Sequence, residues 1–240
     1  MSDAFSTMVP GRPVARPVAT LDVELVGDLI CPFCYLGKRR VDRAIHSVRG
    51  PSTLGFYPFQ LNPEMPSRGE AFDDYLAQRF GSRAAIQPVL DRLQAEGRDA
   101  GIEYQFDRLE RVPNTLPAHQ VIELADSKGH DPMPLVESFM EAYLSHGRDI
   151  GERDIIVDVA RRHGLDPDQV TAAIDDDHLR GNVVDKEQRI RASGVGAVPG
   201  FLMNRRLLLV GAQEIDDIVA GFDRAMFGDE DGNEVRAPLH

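Results

Sequence analysis

The stretch Leu21-Asp22-Val23-Glu24-Leu25-Val26-Gly27-Asp28-Leu29-Ile30-Cys31-Pro32-Phe33-Cys34-Tyr35-Leu36-Gly37-Lys38-Arg39-Arg40 decides the reading of this chain. Leu21 to Leu25 alternates apolar and acidic side chains, the period of a half-buried strand. Beyond Cys34, the residues Leu36, Val41, Ala44, Ile45 and Val48 recur at helical spacing, with Lys38, Arg39, Arg40 and Arg43 at polar positions and Gly50-Pro51 as a stop. The two cysteines therefore stand where a strand ends and a helix begins. Residues i and i+3 share one helix face, so two thiols at that spacing can close a disulfide without moving the backbone. Cys31, at the mouth, meets unpaired backbone N–H groups and the positive end of the helix dipole, both of which favour a thiolate. Pro32 fits the first turn without losing a hydrogen bond. Cys34 lies a turn deeper. Cys31 is thus expected to attack a target disulfide and Cys34 to resolve the mixed disulfide that results.

Other uses of two cysteines fit less well. Cys31 and Cys34 are the only ones among 240 residues, so they cannot staple distant segments. A structural zinc site needs four ligands, and His46 has no partner His shortly after it. No apolar stretch of about 7 to 15 residues occurs in Met1–Thr20, which reads as a leader without a secretory signal. The expected location is therefore cytoplasmic, where a disulfide is transient and chemical. Hydrophobic residues at 42% and charged residues at 28% are the composition of a folded domain. Lys plus Arg is 27 and Asp plus Glu is 39, a balance of −12, so no nucleic acid or anionic membrane is expected as partner. No apolar run approaches the roughly 18 to 20 residues of a membrane span.

Away from the opening stretch, Thr53–Gln60 reads as a second strand. Candidate helices follow at Glu70–Phe80, Ser82–Arg98, Thr115–Lys128, Pro134–His146, Glu152–His163, Pro167–Asp176 and His178–Ala192, with Ser82 and Thr115 as N-caps. Gly101–Arg111 reads as extended or irregular. Phe201–Met203 and Leu207–Val210 flank a hairpin turn, and Glu214–Phe227 closes as a helix. Without the helical block, the order is strand, helix, strand, hairpin, helix. That order resembles the thioredoxin plan, so the expectation is an α/β chain with a thioredoxin fold and a large all-helical insertion domain. The expected division is a flexible leader over 1–20, a thioredoxin-like domain over 21–66 and 194–227, a helical insertion domain over 67–193, and a flexible tail over 228–240. The block is expected to have its own core and to wall a cleft over the cysteines. In this plan a cis proline stands before the third strand, the place held by Val198-Pro199, and the cis form is accessible only at X–Pro bonds. The backbone of Val198 would then pair with an extended substrate. Gly194 to Gly200 is not a dinucleotide loop, because Pro199 replaces a glycine and the segment precedes a strand.

The segment Asp28 to Arg40 resembles the active-site segment of DsbA-like thioredoxin-fold oxidoreductases of the FrnE type. Phe59-Gln60-Leu61-Asn62-Pro63, Pro113-Asn114-Thr115 with Ala118-His119, and Val198-Pro199 with Val210-Gly211-Ala212-Gln213 resemble further segments of that family. The resemblance spans Leu21 to Phe227. It implies a protein disulfide oxidoreductase with Cys31 and Cys34 as redox pair and Pro199 as the cis proline. It further implies Val198, Phe33 and Pro32 at the substrate, with Asn114 and His119 at the lip of the cleft, although a purely structural histidine is equally compatible with the sequence. Phe33 stands where the family often has Trp, and Gly200 where a bulkier residue is common. No bound cofactor is implied; glutathione is the expected redox partner or co-substrate, and the partners are thiols or disulfides of proteins or small molecules. Kappa-class glutathione transferases and 2-hydroxychromene-2-carboxylate isomerases resemble the same layout more distantly, but generally keep a Ser as the glutathione-activating residue and lack the redox pair. The alternative they imply is a glutathione-dependent isomerase or transferase. The direction of exchange and the choice between monomer and homodimer stay open.

Overall fold

A computed structural model describes residues 20–48, 50–205 and 207–227, with Leu207 and Leu208 described by their backbone only. The expected tail, and all of the expected leader but Thr20, lie outside these residues. Strand β1 (Leu21–Gly27) begins with the expected alternation and then buries Leu25, Val26 and Gly27 in succession, as a central strand covered on both faces does. Helix α1 (Pro32–Ile45) carries the chain back, so β2 (Ser52–Pro58) pairs parallel to β1, with Leu21 opposite Ser52 and Gly27 opposite Pro58. On the other edge of β1 lies β5 (Gly200–Met203), antiparallel, with Val26 opposite Gly200; β6 (Leu207–Val210) extends the sheet to the order β2-β1-β5-β6. Asn204 and Arg205 lie in the hairpin turn at positive φ of 51° and 55°. The Asn204 side-chain oxygen accepts the Asp22 N–H at 2.7 Å, tying the turn to β1.

Between β2 and β5 lie β3 (Glu70–Ala71), α2 (Phe72–Phe80), α3 (Arg83–Ala100), β4 (Arg111–Val112), α4 (Leu116–Ser127), α5 (Met133–Leu144), α6 (Arg153–Arg162), α7 (Pro167–Ile174) and α8 (Asp177–Ala192); α9 (Ile215–Phe227) closes the chain. Two expectations change. Glu70-Ala71 and Arg111-Val112 leave the expected helix and loop to form a two-stranded ribbon, Glu70 opposite Val112. Thr115 precedes α4 but makes no side-chain cap; Asn114 Oδ1 accepts the Leu116 N–H at 2.9 Å instead. Ser82 caps α3 as expected, through the Ala85 N–H at 3.1 Å. Helix α3 runs on through Pro88, which faces solvent.

The helical block does not keep a separate core. Val23 and Leu25 of β1, Tyr35 and Leu36 of α1, Val121 of α4 and Phe139 and Met140 of α5 belong to one continuous buried cluster. The cause is the position of α1, sandwiched between the sheet and the block. Its basic run is buried as well: Lys38 is 5% and Arg40 8% exposed. Buried cations require partners. Lys38 pairs with Asp42 and Glu137, Arg39 with Glu137 at 2.7 Å, and Arg40 with Glu96 at 2.9 Å and the Ala212 carbonyl at 2.6 Å. The other face of the sheet has a smaller cluster of Val26, Phe59, Ile190, Val195 and Leu202.

Helix α1 approaches β5 closely at Gly37. A Cβ there would lie 2.9 Å from the Phe201 ring and 3.3 Å from Pro199 Cγ. Gly37→Val therefore forces the helix off the strand and lowers the stability by about 1–3 kcal/mol in urea unfolding. An unchanged midpoint would mean that the two surfaces are not tightly packed here.

Candidate active site

Cys31 is the N-cap of α1, in extended conformation with φ −83° and ψ 112°. Its Sγ accepts the Cys34 N–H at 3.3 Å, and its own N–H donates to the Asp28 carbonyl at 3.2 Å. A sulfur at this place caps the helix as a serine oxygen would. Both cysteines are free thiols; Cys31 is 4% exposed and Cys34 fully buried. Burial pushes the Cys34 thiol well above its ordinary value. The hydrogen bond to the Cys31 sulfur and the negative charge of Cys31 add to this, and the Asp28 backbone N–H opposes it. Gly27 makes room for the inner sulfur, since a Cβ there would stand 3.0 Å from Cys34 Sγ. The Val198–Pro199 peptide is cis. Val198, Phe33 and Pro32 line one cavity together with Cys31, while Pro199 is buried against Gly37. The structure thus brings these six expected residues together at the mouth of α1.

Asn114 and His119 are placed elsewhere. Neither lines that cavity. The Asn114 side chain donates to the Met65 carbonyl at 2.6 Å and caps α4, which fixes two loops. His119 is not at a lip: it is 1% exposed, stacks on Phe56 at 5.7 Å, and its Nε2 faces Asp28 Oδ1 at 3.1 Å. Because a carboxylate only accepts, that contact puts the proton on Nε2; Nδ1 is buried without a partner. Asp28 is itself fully buried. Its Oδ1 also accepts the Leu29 N–H at 2.8 Å and its Oδ2 the Leu61 N–H at 2.7 Å. The helical spacing of α4 turns His119 inward, where a carboxylate needs a donor.

One contributor escapes the sequence reading. Tyr104, in the stretch read as irregular, donates its hydroxyl to the Pro32 carbonyl at 2.6 Å and packs edge-on against Tyr35 at 6.2 Å. Burial, with the nearby Cys31 charge adding to it, pushes this phenol far up and keeps it a donor. Its ring is seated against Gly97, where a Cβ would lie 2.6 Å away. An isolated tyrosine outside any periodic pattern carries no sequence signal of such a role. Among the described residues no three His, Cys, Asp or Glu side chains converge as a metal site.

A thiol pair thus stands at the start of the helix that follows a central strand, beside a cis proline before an antiparallel strand. Residues 22–222 match the family described as the DSBA-like thioredoxin domain. The chain belongs to that family and is an enzyme of the thiol–disulfide oxidoreductase type. A curated relative, the uncharacterized protein YwbO of Bacillus subtilis (strain 168), is 26% identical over 159 residues, which are 65% of this chain and 72% of that protein. The crystal structure of a probable DsbA oxidoreductase from Streptomyces coelicolor superposes with a TM-score of 0.79 at 24% identity, covering 85% of this chain and 89% of that one. The cytosolic disulfide reductase DsbM from Pseudomonas aeruginosa, solved with glutathione, reaches 0.57 at 17% identity, covering 85% and 95%. At these identities the two structures speak for the fold alone.

Two substitutions test the supports. His119→Leu leaves the buried Asp28 carboxylate one donor short and lowers the stability by about 1–3 kcal/mol in chemical denaturation. Gly97→Ala displaces the Tyr104 ring and frees the first turn of α1. Amide exchange at Cys34 and Tyr35 should then accelerate, and unchanged protection would remove Tyr104 from the site.

Proposed function

We propose that Cys31 and Cys34 exchange disulfides as a redox pair of the FrnE type. The observation that carries this reading is the pairing of an N-cap thiol, nearly closed off yet on a cavity wall, with a second thiol buried a turn below it. The Cys31 thiolate attacks one sulfur of a substrate disulfide, that S–S bond breaks, and a thiolate leaves. Cys34 loses its proton and attacks the Cys31 sulfur. The Cys31–Cys34 disulfide forms, and the second substrate thiolate leaves. The substrate disulfide is reduced and the protein dithiol oxidised; the reverse sequence oxidises a dithiol.

The raised Cys34 thiol supports a division of labour. It stays protonated while Cys31 attacks, and it becomes a nucleophile only for the second step. The Val198 backbone, next to the cis peptide, is the proposed edge along which an extended substrate pairs. No bound cofactor enters the exchange. Glutathione or a dithiol from solution resets the pair, and the proposed setting is the cytoplasm, where such thiols are abundant. No described helix is long and apolar enough to cross a membrane.

The direct test is a disulfide-exchange assay with single-cysteine variants. Cys31→Ser should lose turnover by roughly two orders of magnitude or more. Cys34→Ser should still be attacked but stall as a mixed disulfide, visible as an added mass. Retained turnover in Cys31→Ser overturns the reading, and glutathione-conjugate turnover that survives Cys34→Ser would favour an isomerase or transferase. In the wild type, release of the mixed disulfide should accelerate with rising pH, by up to about tenfold per unit below the Cys34 titration, because the neutral thiol must ionise to attack. A flat profile would contradict the raised thiol.

A further inference from the structure

The cavity that holds Cys31 has a volume of about 250 Å³. That is room for a compact small molecule, at the lower end of the size of ligand pockets. One wall is Ile30, Cys31, Pro32, Phe33 and Val198; the opposite wall comes from the helical block, with Phe72, Leu76, Val89, Leu90, Phe106 and Leu144. Most of these are among the least exposed side chains of the protein: Leu76 is 4%, Phe106 3% and Leu144 1% exposed. Phe80, at 42% exposure, continues the apolar surface outward. Of all the residues on the cavity wall, one is charged: Arg79, on the exposed side of α2. Among the described residues no carboxylate lies within ion-pair distance of it, although Glu64 and Glu70 border the shallow groove on its far side.

We infer that this chamber seats a small apolar thiol or disulfide bearing a single carboxylate, with its sulfur at Cys31, its hydrocarbon body against α2 and α3, and its carboxylate at Arg79. The inference rests on the exchange chemistry proposed above and names its substrate class. A hydrocarbon body gains from every apolar contact on both walls. Glutathione is the opposite case. It carries two carboxylates, an ammonium and two amides, and one guanidinium answers only one of them. Beyond what the Val198 backbone can pair, each remaining polar group would leave water for a wall whose two phenols, Tyr75 and Tyr143, already donate to Asn62 and to the Arg111 carbonyl. Glutathione then acts on the pair as an unseated reagent from solution and not as the occupant of the chamber.

The step and its probes can be matched. In a 2-pyridyl mixed disulfide, the Cys31 thiolate attacks the sulfur of R, the bond to the pyridyl sulfur breaks, and pyridine-2-thione leaves with the electron pair and takes up a proton. Cys34 then loses its proton and attacks the Cys31 sulfur, and RS⁻ leaves and is protonated. Three probes share this leaving group: those of mercaptohexanoate, hexanethiol and glutathione. Single-turnover stopped-flow of pre-reduced wild-type protein should give a second-order rate constant for the hexanoate probe about tenfold or more above that for the glutathione probe. Val89→Asn and Phe80→Glu, which place polar atoms on the hydrocarbon wall and its rim, should each reduce that ratio severalfold. Arg79→Gln should remove the advantage of the hexanoate probe over the neutral hexanethiol probe. Equal or faster reaction of the glutathione probe overturns the inference, as does a ratio that none of these variants changes. If Cys31→Ser releases pyridine-2-thione as fast as wild type, the exchange reading itself fails, whatever the ratios among probes.

Discussion

A carboxylate sealed away from water has to be surrounded by donors, and the site is arranged around that demand at Asp28. Its two oxygens take the N–H of Leu29 from the turn into α1, the N–H of Leu61 from the exit of β2, and Nε2 of His119 from α4. Three segments that are far apart in the chain are thereby set at one point, directly beneath the cysteines. Removing any of the donors would strand the charge, so the three cannot drift independently. The same residue offers its backbone carbonyl to the Cys31 N–H and its backbone N–H to the inner sulfur. The geometry of the thiol pair is inherited from the satisfaction of one acid.

Helix α1 is held with similar strictness along its length. Tyr104 grips its first turn at Pro32, Lys38 and Arg39 tie it to Glu137 on α5, and Arg40 joins it to Glu96 on α3 and to the loop before α9. Each of these cations is matched, so the helix can be buried among charges without stranding one. The polar ties lie along the length of the helix and the apolar chamber at its mouth, so the outer thiol meets hydrocarbon while the helix behind it is held by ion pairs. Gly37 and Gly27 remove the two Cβ atoms that would otherwise hold α1 off β5 and Cys34 off β1.

What the sequence disclosed follows from what is periodic. The alternation in β1, the helical spacing after Cys34 and the position of the cysteines between them are local patterns, and the residues they pointed to, Cys31, Cys34, Pro32 and Phe33, do come together with the Val198–Pro199 segment at the mouth of α1. Tertiary pairing is not local. Lys38 and Arg40 look like surface residues in a helical wheel and become buried only because Glu137 and Glu96 arrive from other helices. His119 could be read as a lip residue because nothing nearby in sequence reveals that Asp28 awaits it. Glu70-Ala71 reads as the start of a helix until Arg111-Val112 offers it an edge. The separate core expected for the helical block failed for the same reason: α1 is a shared layer, and a shared layer has no signature within either segment alone.

The order of strands in the sheet has a consequence for biosynthesis. β1 finds β2 about as soon as the intervening helix is made, but its other edge waits for β5, which begins only at Gly200. Closing contacts over so long a span is slow compared with local pairing. On the ribosome the pair of thiols is therefore complete long before the strand that shelters it has emerged. During that interval the nascent chain presents an open β1 edge and two uncovered sulfurs to every passing oxidant and chaperone.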